Sequence, residues 1–91
     1  MKLFHATEAY EQIERDGFRD GTGKYLTDFE FTGVWVSAEP LDDHPSPEAR
    51  HFEIEVGDLN LEPFEWVEEG KPYREFLVPA EVLNQFPRRL L

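Results

Sequence analysis

The chain has 91 residues, no cysteine and a formal net charge of −11. That length predicts a single domain spanning 1–91, and the absence of cysteine excludes disulfides, thiolate-ligated zinc and thiol catalysis. The acidity argues against binding to bare nucleic acid or anionic membrane surfaces and favours solubility.

Hydrophobic residues make up 40% of the chain and aromatics 14%, eight of them Phe, which predicts a folded globule with an aromatic core rather than a disordered tail. No run approaches the ~20 apolar residues that cross a bilayer. No apolar stretch follows a basic start, so the expectation is a soluble cytoplasmic protein without membrane contact.

Residues 1–6 read as a short strand, with Leu3 and His5 on one face and Lys2 and Phe4 on the other. Thr7 is expected to cap a following helix, with Glu8 and Glu11 near its positive end. Ala9, Tyr10 and Ile13 recur at helical spacing, and Gly17 ends the pattern with Phe18 folding back. Residues 19–32, with Gly21 and Gly23, read mostly as loop.

Residues 33–37 read as a strand of β-branched and aromatic residues, followed by a proline-containing loop over 40–48. His51 to Val56 alternates, with Phe52, Ile54 and Val56 inward and His51, Glu53 and Glu55 toward water. Further strands are expected at 64–67 and 73–79, then a short helix at 80–84 after Pro79, then an extended end over 86–91. One early helix, a short late helix and four or five strands define an α+β fold with a mostly antiparallel sheet.

Polar residues that interrupt apolar strands are the candidates for chemistry. His5 stands between Phe4 and Ala6, Ser37 ends its strand, and Glu75 precedes Phe76-Leu77-Val78. A carboxylate at such a position is costly to bury unless it is paired or hydrogen-bonded. Each also has a plain structural reading, as a hydrogen-bonded core histidine, a strand-end hydroxyl and a solvated glutamate. Trp35 and Trp66 equally suit a core. Ser37 lacks the glycine-flanked elbow of a serine nucleophile. Gly21-Thr22-Gly23-Lys24 lacks full phosphate-loop spacing, and Asp42-Asp43-His44 lacks the second cluster a metal site needs.

Three segments together resemble the histidine–aromatic–glutamate branch of the ADP-ribosyltransferase superfamily. Leu3-Phe4-His5-Ala6-Thr7, with a helix ending at Asp16-Gly17-Phe18, resembles the family opening Leu-Tyr-His-Gly-Thr … Gly-Phe. Gly33-Val34-Trp35-Val36-Ser37 resembles its strand of Gly, then Ile or Val, then Tyr, then Phe or Val, then Ser, and Arg74-Glu75-Phe76-Leu77-Val78-Pro79 the late strand that bears its glutamate. Ala6, Trp35 and Tyr73 are where this chain differs: the family has glycine and tyrosine at the first two, and Gln or Glu at the third in members that modify arginine or asparagine side chains.

The resemblance implies a compact split sheet or sandwich that uses NAD as a substrate and needs no metal. It assigns Glu75 and His5 as catalytic residues, and His5, Thr7, Trp35 and Ser37 as the nucleotide contacts. His5 would hydrogen-bond a ribose hydroxyl, Trp35 would stack on nicotinamide, and Ser37 would bind the carboxamide or brace Glu75. Glu75 would stabilise the charge that develops as nicotinamide leaves. The acceptor, protein or nucleic acid, stays open. Two alternatives remain beside mono-ADP-ribosyl transfer. One is a non-catalytic acidic interaction module on the same fold. The other is an RNA 2′-phosphotransferase, less suited to a chain with only nine Lys and Arg.

Overall fold

A computed structural model describes residues 1–25, 29–41 and 46–91. In chain order these form β1 (Lys2–Thr7), α1 (Tyr10–Asp16), β2 (Gly21–Tyr25), β3 (Phe29–Ser37) and β4 (Arg50–Glu55). A 3₁₀ turn (Glu62–Phe64), β5 (Glu65–Trp66), β6 (Glu75–Val78), α2 (Ala80–Leu83) and β7 (Arg88–Leu90) follow. The expected α+β class, with two helices, is observed.

The strands form one sheet in the order β5-β6-β3-β1-β4-β7, with β2 paired to β3, and every pairing among the described residues is antiparallel. Directly opposed residues share a face. Trp66, Glu75, Ser37, Phe4, Glu53 and Arg89 therefore make one continuous row across six strands. The other face carries the core. Leu3, Ile54, Phe52, Val36, Phe76 and Val78 are almost fully buried there, against Ile13 of α1 and Leu83 of α2. The alternation seen in 51–56 thus does select the inward side chains.

The structure differs from the expected elements at several places. Residues 21–25 and 29–32 are paired strands rather than loop, in register from Gly21–Gly33 to Tyr25–Phe29. Glycine-rich segments have weak strand propensity of their own, and the partner strand supplies the ladder that propensity does not predict. The Gly21–Lys24 run is therefore sheet backbone, not an anion-gripping loop. β3 exchanges partners at Gly33, which pairs with β2, while Val34 onward pairs with β6. Gly33 has φ 147°, and a side chain there would meet Leu77 Cδ1 at 3.0 Å.

Thr7 does not cap α1. It remains in β1, and its Oγ1 accepts the Ala9 N–H at 2.9 Å in a tight turn, so the helix starts three residues later. The segment expected as a strand over 64–67 is a 3₁₀ turn followed by a two-residue strand, with Val67 84% exposed. His51 does not face bulk water: it is half-buried, and its Nε2 lies 2.8 Å from the Leu41 carbonyl.

A side-chain clamp fixes the exit of α1. Gly17 has φ 84° and ψ 178°, a region open essentially to glycine alone. The Phe18 N–H donates to Asn84 Oδ1 at 2.8 Å, and Asn84 Nδ2 donates to the Phe18 carbonyl at 2.9 Å. Asp20 Oδ1 accepts the Ala80 N–H at 2.8 Å and so caps α2, which has no cap of its own. Phe18 is held against Phe52 and His5, each ring centroid 5.7 Å away in edge-on geometry.

Replacing Asn84 with Ala leaves a Phe18 donor and acceptor without this partner. The expected loss is about 2 kcal/mol in urea denaturation. Gly17→Ala, whose new Cβ would stand 2.9 Å from Asn84 Oδ1, is expected to be at least as damaging. An unchanged midpoint for Asn84→Ala would show that the clamp does not hold the fold.

Candidate functional site

β1 and β3 register at a single pair, Phe4–Ser37. Past that pair, toward Thr7, the two strands are joined instead by a side chain: His5 Nδ1 lies 2.7 Å from the Trp35 carbonyl. A carbonyl only accepts, so Nδ1 carries the proton. In the neutral ring this leaves the lone pair on Nε2. Cavities lie on both sides of this bond, and His5 and Trp35 line both.

The first cavity, about 300 Å³, lies between the end of β1 and the exit of α1. His5, Thr7, Gly33 and Val34 form one side, and Ile13 and Phe18 the other. Phe31 and Trp35 add aromatic wall, their rings edge-on at 5.3 Å. Gln12 and Arg19 bring polar atoms to it.

The second cavity, about 260 Å³, lies on the outer face and contains His5, Trp35, Ser37 and Glu75 together with His51 and Leu41. Ser37 and Glu75 are directly opposed on β3 and β6, which makes them neighbours although they lie far apart in the chain. Trp66 packs edge-on against Trp35 at 5.5 Å. His5, Trp35, Ser37 and Glu75 thus line one cavity, whereas Thr7 lines only the first. The Asp42-Asp43-His44 cluster lies outside the described residues. Among the described residues no group of three or more His, Asp or Glu is placed to hold a metal ion, and no helix is long and apolar enough to cross a membrane.

Ser37 and Glu75, like His5 and Trp35, have protein partners. Ser37 is 5% exposed, and its hydroxyl donates to the Glu39 carbonyl at 2.6 Å. Its lone pairs are what it can offer a ligand. Glu75 is paired rather than freely solvated: Oε1 lies 2.5 Å from Lys71 Nζ, and both side chains are 18% exposed. Lys71 also meets Glu68 at 3.1 Å. Burial works against the Lys71 charge, but the hydrogen bonds it donates to Glu75 and Glu68 outweigh it and hold its pKa above the ordinary lysine value.

Sequence reading passed over two residues of this site. In the sequence Lys71 reads with Arg74 as a small basic pair beside a turn over 68–72, and its pairing with Glu75 depends on the geometry of that turn at Gly70, φ 86°. His51 matched the solvent side of an alternating strand, and only the fold-back of Leu41 encloses it.

Comparison with protein-family models, with curated proteins and with solved structures finds no match.

The Lys71 pair makes a checkable electrostatic claim. Glu75→Gln is expected to lower the Lys71 pKa, read by ¹⁵N NMR of the lysine ammonium. Because folding raises that pKa, the stabilisation is full below the ordinary value of 10.5 and declines above it. The wild-type and Glu75→Gln urea midpoints should converge as pH rises through the alkaline range. A constant difference would show that the pair does not contribute as a charge interaction.

Proposed function

We propose that this chain binds a nicotinamide nucleotide around His5 and Trp35 and transfers its ADP-ribosyl group to an acceptor. The observation that carries the reading is the meeting of His5, Trp35, Ser37 and Glu75, drawn from three separate strands, in one cavity. The two adjoining cavities, about 300 and 260 Å³, are together of ligand-pocket size. The resemblance of the strand-end motifs to ADP-ribosyltransferases supports the same reading.

In this reading each residue has a definite task. Trp35 offers an aromatic face to the nicotinamide ring. Ser37 accepts from its carboxamide. His5, with Nδ1 committed to Trp35, presents Nε2 to a ribose hydroxyl, and Thr7 supports that end from the first cavity. Glu75 keeps one oxygen on Lys71 and turns the other toward the ribose. There it stabilises positive charge at the anomeric carbon as the C–N bond to nicotinamide breaks. The acceptor's nucleophile forms the new bond to that carbon and releases its proton to solvent.

The Lys71–Glu75 pair favours a second reading, in which the carboxylate is structural and the same fold serves as an acidic interaction module. Titration decides between them. NAD should bind the wild type saturably at up to millimolar concentration in calorimetry or ligand-observed NMR. Glu75→Gln should retain binding within a few-fold while lowering transfer by about 10²–10³. No binding at millimolar NAD removes the nucleotide reading, and undiminished transfer in Glu75→Gln removes Glu75 from the chemistry.

A further inference from the structure

We infer that His51 is a ligand-binding residue of the second cavity, accepting at Nδ1 a hydrogen bond from a hydroxyl or amino group of the ligand's ADP-ribose part, a role that rests on the nucleotide reading above. His51 stands opposite Ala6 in the β4–β1 register, so it shares the outer face with Phe4, Ser37 and Glu75. It is half-buried and lines the cavity that holds Glu75.

Its tautomer follows from its one partner. Nε2 lies 2.8 Å from the Leu41 carbonyl, so Nε2 carries the proton and, in the neutral ring, Nδ1 carries the lone pair. Among the described residues Nδ1 makes no hydrogen bond, and no buried side-chain nitrogen or oxygen lacks a partner. Nδ1 is therefore reachable by water and by a ligand. Leu41 and the carbonyl latch hold the ring in place, which limits the ordering cost of using it.

Position sets what His51 can read. Its strand is three strand spacings from β6, roughly 14 Å from the Glu75 backbone. His51 therefore contacts a part of the ligand remote from the bond that breaks and determines specificity rather than rate. A donor is the required chemistry, and away from that bond NAD offers the hydroxyls and the adenine amino group of its ADP-ribose part.

The test is ¹⁵N NMR of the histidine rings above neutral pH, with His51→Gln identifying the resonances. In the free protein Nδ1 of His51 should give a pyridine-type signal and Nε2 a protonated one. Saturating NAD should move the Nδ1 signal toward the hydrogen-bonded position. ADP-ribose alone should reproduce the shift, whereas a shift with nicotinamide alone overturns the assignment. His51→Gln keeps an N–H for Leu41 but loses the Nδ1 lone pair, and should weaken NAD binding about three- to tenfold.

A protonated Nδ1 in the free protein, an unmoved signal at saturation, or wild-type affinity in His51→Gln each overturns the assignment and leaves the nucleotide reading intact. Absence of any NAD binding by the wild type overturns both. The wild-type spectra decide the matter even where the variant does not fold.

Discussion

The hydrogen bond from His5 Nδ1 to the Trp35 carbonyl is the constraint around which this molecule is arranged. β1 and β3 run side by side at only one register pair. A side chain, not a backbone ladder, then holds them together where they part. Such a seam has room on both sides, and cavities open there. The same bond sets the imidazole tautomer and locks the ring between Phe18 and Trp35. A strand-end histidine is thereby both a structural tie and a wall of the two cavities.

That tie depends in turn on the packing behind it. Phe18 can abut His5 only because Gly17 allows the sharp exit from α1 and Asn84 matches both backbone groups of Phe18. Asp20 fastens the same segment to the first turn of α2. A seven-residue helix and a four-residue helix would be marginal alone. Pairing their ends through side chains makes one unit of them and presents Ile13 and Leu83 to the sheet.

Electrostatics on the outer face follow the same row of opposed residues. Glu53 is held below the usual carboxylate range, first by its hydrogen bond from Lys2 and then by Arg89, with burial opposing in part. Glu75 sits in the same row and meets Lys71. Each carboxylate of the row thus has a cation from a neighbouring strand or turn. In a chain of net charge −11 with nine Lys and Arg, three of them, Lys2, Arg89 and Lys71, serve these two carboxylates.

Period-two alternation and β-branched or aromatic content identified β1, the end of β3, β4 and β6, because half-buried strands write their faces directly into the residue order. His5, Ser37 and Glu75 stood out for the same reason, as polar residues breaking apolar runs. The hairpin of β2 with the start of β3 was illegible, since Gly21 and Gly23 owe their strand state to a partner. The late start of α1 was hidden because a threonine hydroxyl closes a turn as readily as it caps a helix.

By itself, then, the sequence determined an α+β class, the inward faces of its clearest strands and the polar positions worth attention, all of which depend on local pattern. The core it predicted as aromatic is mainly aliphatic, with Phe18, Phe52 and Phe76 among Leu, Ile and Val side chains. Tertiary structure alone decided which of those positions meet. Register placed Ser37 against Glu75, strand divergence placed His5 in two cavities, and Thr7 in only one. The turn at Gly70 delivered Lys71 to Glu75, and the fold-back of Leu41 enclosed His51. These are contacts between segments distant in the chain, and their geometry is set by pairing and packing rather than by the residues' own conformational preferences.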